Sequence, residues 1–222
     1  MTTVDVVGEA VRLADGPTSR GSGTKRAVDV ALGVPLCLVA LPLVLVLAVI
    51  VSVMFRSWPL FVHLRVGGRG RVVAIPKLRT LAPGTPIYAD KTVTELGPHS
   101  RFANALRSTH LDELPQLFLV PMGRLSLVGP RPRMASEVAD HDDAAHERVR
   151  TSVRQGCTGL WQVSGHRGRV SDRPEYDDYY VREQTLRLDA WILWRTLRQL
   201  FVSSSIELTD IPSWTRRRPQ AA

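Results

Sequence analysis

The sequence predicts a mostly helical α+β protein with a membrane-inserted helix near its N-terminus, and three patterns support this prediction. The stretch from Val30 to Phe55 contains no charged residue and is long enough for a membrane helix. Two β-like runs flank a glycine-rich turn and predict one small hairpin. Further along the chain helical patterns dominate, and an amphipathic pattern there is typical of helices at a membrane interface.

The composition of the chain favours an anionic partner. Its 222 residues carry a formal net charge of +8, and 44% of them are hydrophobic. A nucleic acid, an acidic lipid or a phosphorylated substrate would each suit this charge, and composition does not choose among them. Cys37 lies in the apolar stretch and Cys157 in a glycine-flanked turn, so the two cysteines indicate neither a disulfide framework nor a metal cluster.

The apolar stretch divides the chain into four predicted regions. These are a flexible tail (1–23), a membrane helix (24–56), a cytoplasmic core (57–203) and a basic tail (204–222). Pro42 lies near the middle of the helix, where a proline tends to bend the backbone. A helix bent there would enter the membrane and return to the same face. The residues alone leave two alternatives, a helix that spans the membrane once and a helix buried in the protein core. Basic residues stand at both ends of the apolar stretch, so the distribution of positive charge does not indicate which end would face the cytoplasm.

The later elements follow from local patterns. Residues 60–81 predict the hairpin around a Gly67–Gly70 turn, and residues 82–100 predict a loop. Helices are predicted over 102–120 with an interruption at Pro115, and over 135–153, 175–183 and 186–201; a turn at 126–132 and a loop at 155–168 lie between them. The last helix carries Trp191 and Trp194 among arginines and leucines, so it would lie in the headgroup layer or pack on its own domain.

An adjacent pair of acids is the strongest chemical candidate. Asp112 and Glu113 could supply a nucleophile, a metal ligand or a general base. The alternative is structural, because Thr109 followed three residues later by an acid resembles a helix-capping pattern.

Four cations surround the acid pair in the sequence, and they suit phosphate groups. Arginine matches phosphate oxygens with its planar fork, and lysine supplies a point charge. These cations are Lys77, Arg79, Arg107 and Arg131. The histidines show no metal-protease spacing, and neither a Walker A loop nor a dinucleotide-binding fingerprint is present. The basic segments also lack interleaved aromatic residues, which argues against nucleic acid as the partner.

Several short motifs occur in a fixed order along the chain. They are Lys25-Arg26 with Asp29, Phe61 with Arg65-Val66-Gly67, Lys77-Leu78-Arg79-Thr80, residues 111–117 (LDELPQL), 126–132 (SLVGPRP), 158–165 (TGLWQVSG) and 177–180 (DDYY). In these motifs, and in the apolar run broken at Pro42, the chain resembles the bacterial sugar transferase family, the monotopic polyprenyl-phosphate phosphoglycosyl transferases. The resemblance extends from about Lys25 to Val202.

The resemblance implies a reaction and a location. The core would lie on the cytoplasmic face of the bacterial inner membrane, held by a re-entrant helix bent at Pro42. Asp112 would attack the β-phosphate of a nucleoside diphosphate sugar, most commonly a UDP-sugar, and form a covalent phosphosugar intermediate, which undecaprenyl phosphate would then accept. Glu113 would assist by deprotonating the acceptor, and Mg²⁺ near Asp112 and Glu113 would balance the phosphate charge. The residues expected to hold phosphates are Lys77, Arg79, Arg107 and Arg131.

The implied partners are the sugar donor, undecaprenyl phosphate and membrane lipids, with no nucleic acid; a homodimer is left open. The product would initiate glycoconjugate or exopolysaccharide assembly. The chain departs from the family pattern at Leu41, Leu119 and Arg124, where serine, asparagine and aspartate are usual. A catalytically degenerate scaffold of a glycan-assembly complex is therefore the alternative function.

Overall fold

The computed structural model describes residues 23–85, 100–139, 144–165, 173–199, 202 and 205–217. The predicted N-terminal tail, most of the predicted 82–100 loop and the end of the basic tail lie outside the described residues. Within the described residues, the protein has the mostly helical α+β architecture that the sequence predicts, with one long apolar helix near the N-terminus and two small sheets.

The elements follow one another in a simple order. The helices are α1 (Gly23–Phe55), α2 (Ser100–Ser108), α3 (Ala135–Ala139), α4 (Ala144–Thr151), α5 (Leu160–Val163), α6 (Pro174–Glu183) and α7 (Leu186–Gln199). The strands are β1 (Leu60–Val66), β2 (Val72–Leu78), β3 (Ser126–Val128), β4 (Arg133–Met134) and β5 (Gly156–Thr158). Short 3₁₀ helices occupy Gly68–Gly70, Leu111–Leu119, Leu208–Asp210 and Ser213–Thr215.

The predicted hairpin is present and forms most of the first sheet. Strands β1 and β2 pair antiparallel from Leu60 opposite Leu78 to Val66 opposite Val72, and β4 pairs antiparallel with the other edge of β1. The second sheet consists of β3 and β5, which are parallel. Strand β3 lies where the sequence predicts only a turn, because a strand of three residues has no detectable alternation and depends on its distant partner β5.

The predicted helix over 102–120 is interrupted at a different residue from the one expected. Helix α2 ends at Ser108, and His110 then takes a left-handed conformation with a φ of 56°. A left-handed residue ends an α-helix, and the chain continues as the 3₁₀ helix, which contains Pro115 without a break. The expected interruption at Pro115 is therefore wrong.

Helix α1 is long and apolar enough to cross a membrane. It continues without interruption through Pro35 and Pro42, and one stripe of it is buried in the protein. The buried residues recur every three or four positions, which places them on a single face; they are Lys25, Asp29, Gly33, Cys37, Ala40, Val44, Leu47 and Val51. The other face exposes large apolar side chains, including Leu38, Val39 and Val53.

Both ends of α1 contact the folded domain, each at a different buried cluster. Near the amino end, Arg26 donates to the carbonyl oxygens of Val120 at 2.6 Å and Pro121 at 2.7 Å. Near the carboxyl end, Leu47 and Val51 belong to a buried cluster with residues of β2 and α2. The helix therefore lies against the domain over most of its length.

The main core lies between the two sheets and the C-terminal helices. Leu188 and Ile192 of α7 are fully buried in it, whereas Trp194 and Leu197 on the opposite face of α7 are exposed. Of the two alternatives for this helix, packing on its own domain therefore holds for one face. The exposed apolar residues of the other face remain available to a membrane interface.

Candidate active site

The acid pair lies at the start of the 3₁₀ helix Leu111–Leu119. The left-handed His110 turns the chain out of α2 immediately before it. Among the described residues no side chain caps this helix, and the Thr109 hydroxyl instead donates to the carbonyl oxygen of Ala105 at 2.7 Å. The hydrogen bond expected from a Thr109 cap is therefore not formed, whereas both acids do lie in the first turn of the helix, as the structural alternative expects.

Glu113 is the centre of a compact polar cluster. Its Oε1 accepts hydrogen bonds from Lys77 Nζ at 2.5 Å and from Arg131 Nη2 at 3.3 Å, and its Oε2 accepts one from Gln116 Nε2 at 3.0 Å. The side chains of Lys77 and Glu113 are 14% and 16% exposed, so the ion pair is largely shielded from water. Such partly buried, charge-assisted bonds fix the directions of both cations.

The surrounding charges determine the protonation of Glu113. Burial alone would raise the pKa of its carboxyl group, but the positive charges of Arg131 and Lys77 outweigh this effect and hold the pKa well below its usual value. Glu113 is therefore a carboxylate at neutral pH, and each of its two oxygens already has a partner.

Asp112 differs from its neighbour in having no such partner. It is only 8% exposed, yet no side chain or backbone amide in the described part of the chain donates a hydrogen bond to its carboxylate. Burial raises the pKa of Asp112, while the nearby charge of Lys77 opposes the shift. A shielded carboxylate with free oxygens beside cations suits a nucleophile or a ligand of a metal ion.

Two of the four predicted phosphate-binding cations meet at the acid pair. Lys77 and Arg131 both contact Glu113. Arg107 lies near Asp112, and its Nε donates to the Thr80 hydroxyl at 2.9 Å. Arg79 points elsewhere: its Nε donates to the carbonyl oxygen of Trp58 at 3.0 Å.

The glycine-proline turn that carries Arg131 is packed closely against the second sheet. The amide of Gly129 donates to the carbonyl oxygen of Thr158 at 2.9 Å. A Cβ atom at Gly129 would overlap the carbonyl oxygen of Arg154, so only glycine permits this approach. The turn, the hairpin and the 3₁₀ helix together surround a small cleft lined by residues that include Lys77, Glu113, Gln116, Arg131 and Cys157.

The donor set at the acid pair suits a magnesium ion only in part. Mg²⁺ binds one or two carboxylates and fills its remaining positions with water and substrate phosphates. Asp112 has free oxygens that fit this requirement, whereas the oxygens of Glu113 are already bonded to Lys77, Arg131 and Gln116. The described residues contain no group of three or more potential metal-ligating side chains.

The three departures from the family pattern lie away from the acid pair or in the core. Leu119 is buried in the main core, Arg124 is exposed, and Leu41 is exposed on α1.

The sequence analysis does not predict Gln116 as a site residue, although its position three residues after Glu113 in the same motif is a signal. Two buried arginines behind the turn also have no predicted role: Arg65 belongs to a motif of the family resemblance, whereas Arg150 has no local signal in the sequence.

Known proteins similar to this chain include sugar-phosphate transferases and an exopolysaccharide production protein. A family model described as bacterial sugar transferase matches residues 20–203. A UDP-glucose:undecaprenyl-phosphate glucose-1-phosphate transferase from Klebsiella pneumoniae is 31% identical over 192 residues, covering 82% of this chain and 41% of that protein. The exopolysaccharide production protein ExoY from Sinorhizobium fredii is 33% identical over 202 residues, covering 82% and 88%. An undecaprenyl-phosphate galactose phosphotransferase from Salmonella typhimurium is 32% identical over 197 residues, covering 78% and 40%. The chain thus spans about two fifths of two of these relatives and most of the third.

Proposed function

The chain belongs to the bacterial sugar transferase family, and from this premise we propose that it transfers a phosphosugar from a nucleoside diphosphate sugar to undecaprenyl phosphate. The observation that carries the proposal is a shielded Asp112 carboxylate beside Glu113, which fixes the cations Lys77 and Arg131, with the charge of Lys77 acting on Asp112 as well. Relatives named for undecaprenyl-phosphate sugar transfer support the acceptor, and a relative named for UDP-glucose supports a UDP-sugar donor.

The proposed reaction has two steps at one phosphorus atom. An oxygen of Asp112 forms a bond to the β-phosphorus of the donor, the bond to the bridging oxygen breaks, and the electron pair leaves with the nucleoside monophosphate. An oxygen of undecaprenyl phosphate then forms a bond to the same phosphorus and releases the Asp112 carboxylate. Phosphoryl transfer depends chiefly on in-line positioning and on neutralising the negative charge of the phosphates. The positive side chains of Lys77 and Arg131 suit this second role.

Glu113 contributes by holding these cations. The acceptor is a phosphate monoester that carries about −1.5 to −2 charges at pH 7, so its attack requires little proton removal. A carboxylate bonded to Lys77, Arg131 and Gln116 suits the role of fixing the phosphate-binding side chains. Removal of the acceptor proton by Glu113 would require one of these bonds to open.

We propose Mg²⁺ as the cofactor, with Asp112 as the residue that would hold it. A bound Mg²⁺ would stabilise the charge on the transferring phosphate and on the leaving nucleoside monophosphate. The residues Lys77 and Arg131 supply the remaining positive charge on the protein side of the cleft.

The location that we propose is the cytoplasmic face of the inner membrane. Docking of both ends of α1 on one domain favours a helix that stays on one face of the membrane, because a straight span would take one end of the helix away from that domain. The helix itself continues through Pro42, so the bend at this residue stays a prediction. The exposed apolar face of α1 and the exposed Trp194 and Leu197 of α7 suit contact with lipid.

The test is turnover of purified protein in detergent with Mg²⁺, undecaprenyl phosphate and a panel of labelled UDP-sugars. We expect a lipid-linked product from at least one donor, and with Asp112→Asn neither product nor covalent labelling. The matched control is Asp210→Asn at an exposed aspartate of a C-terminal 3₁₀ helix, which should retain wild-type activity. Absence of product with every donor would support the scaffold alternative, and full activity of Asp112→Asn would exclude this residue as the nucleophile.

A further inference from the structure

The segment Gly129-Pro130-Arg131-Pro132 is held by its carbonyl oxygens. Its two prolines have no N–H to donate, so the backbone can be fixed mainly through acceptors. The Pro130 oxygen accepts from the amide of Gly156 at 3.0 Å, the Arg131 oxygen from Arg150 Nη2 at 2.6 Å, and the Pro132 oxygen from Arg65 Nη1 at 3.1 Å. Three consecutive carbonyl groups are thus bound by three different elements of the fold.

Arg150 is the most deeply buried of these donors. It is 1% exposed, and its guanidinium group uses every side of its fork. Nε donates to Asp177 Oδ2 at 2.6 Å, and Nη1 donates to both carboxylate oxygens of Glu147 at 3.1 Å. The two carboxylates neutralise and orient the guanidinium group, which leaves Nη2 directed at the Arg131 carbonyl.

A buried ion network of this kind is costly to desolvate, and apolar residues often stabilise a fold equally well. The ion network of Arg150 contributes here by fixing the position of the Arg131 backbone. The bond from Arg150 fixes the backbone at the same residue whose side chain reaches Glu113 and lines the cleft. A shift of that backbone would move the guanidinium group of Arg131 away from the phosphate that it is proposed to bind.

We infer that Arg150 is a positioning residue for Arg131, acting through the Arg131 carbonyl oxygen and supported by Asp177 and Glu147. This inference rests on the proposed phosphosugar transfer. Lysine at position 150 keeps the positive charge but cannot bind two carboxylates and a carbonyl in one plane. Misplacement of a positioning group by about 1 Å can lower the rate about 100-fold, so we expect Arg150→Lys to lower kcat/KM about 10- to 100-fold.

A double-mutant cycle distinguishes positioning from general stability. The variants are Arg150→Lys, Arg131→Ala and the double variant, assayed for kcat and KM with the best donor. If Arg150 acts through Arg131, it has no further effect once the Arg131 side chain is absent. The double variant should then match Arg131→Ala within about twofold.

Two controls keep the result interpretable. Arg148→Lys changes an exposed arginine of the same helix and should leave activity unchanged. Leu188→Ala removes a fully buried core side chain but no hydrogen bond to the turn, so it should lower the melting temperature, and its effect should multiply with that of Arg131→Ala.

Two outcomes distinguish the positioning role of Arg150 from the proposed phosphosugar transfer. Multiplicative effects of Arg150→Lys and Arg131→Ala in an active protein would overturn the positioning role and leave the proposed function intact. A wild-type protein that turns over no donor would instead remove the proposed function, and the positioning role with it.

Discussion

The attachment of α1 to the core can be tested at one buried carboxylate. Asp29 is 1% exposed and accepts hydrogen bonds from Lys25 Nζ at 2.8 Å, Ser126 Oγ at 2.7 Å and the amide of Leu127 at 3.2 Å. It thereby joins the first turns of the apolar helix to β3, the strand that leads into the turn carrying Arg131. The substitution Asp29→Ala removes all three bonds at once.

The expected loss follows from these contacts. Hydrogen bonds to a charged group contribute about 1.5–3 kcal/mol each, and Ser126 and Leu127 both lose one. Lys25 keeps Asp189 as a partner at 3.1 Å, which limits the damage. Removal of one partner from a buried ion pair typically costs about 3–5 kcal/mol, and we expect a loss in that range. For a chain of this size, that corresponds to a decrease of about 10 °C in Tm.

Thermal unfolding in detergent, followed by tryptophan fluorescence, measures this loss. Asp29→Asn retains an acceptor oxygen and should lose about half as much stability. Glu175→Gln removes one partner of an exposed ion pair with Arg173, so its effect should be below about 1 kcal/mol. If Asp29→Ala unfolds within about 2 °C of Glu175→Gln, the docking of α1 through this cluster is refuted.

Two further predictions concern the helix and the turn. Single cysteines that replace Gly23 and Trp58, at the two ends of α1, should both resist an impermeant maleimide in intact cells and react after permeabilisation; labelling of only one end from outside would indicate a span. The substitution Gly129→Ala places a Cβ against the Arg154 carbonyl and should lower the free energy of unfolding by about 1–3 kcal/mol in urea titrations, whereas Gly23→Ala meets no neighbouring atom and should change it little.

Features with a strong local signal are the ones that the sequence predicts well. The hairpin combines β-branched runs with a glycine turn, and α1 contains 26 residues without a charge from Val30 to Phe55, so neither depends on distant partners. Strand β3 is missed because it exists only through pairing with β5. The break at His110 is missed because a left-handed histidine has no sequence signal as strong as that of Pro115.

In the candidate site, too, residues in local motifs are predicted and contacts between distant residues are not. Motifs identify Asp112, Glu113, Lys77 and Arg131 as candidates, and the fold brings the last three together. The sequence does not reveal that Arg79 contacts the carbonyl of Trp58 instead, because the strand ends before it and alternation no longer fixes its direction. Carboxylate–guanidinium networks such as that of Arg150 join residues far apart in the chain, so local patterns cannot predict them.

The buried stripe of α1 has a consequence for modularity. Because Lys25 neutralises Asp189 and Gly33 lies directly against Val120, the helix fills part of the catalytic domain rather than serving only as its anchor. Replacing the helix with an unrelated transmembrane segment would leave the buried carboxylate of Asp189 without Lys25 and would expose the surface around Val120 against which Gly33 packs. Helix α1 and the domain that carries Asp112 and Glu113 therefore form one structural unit.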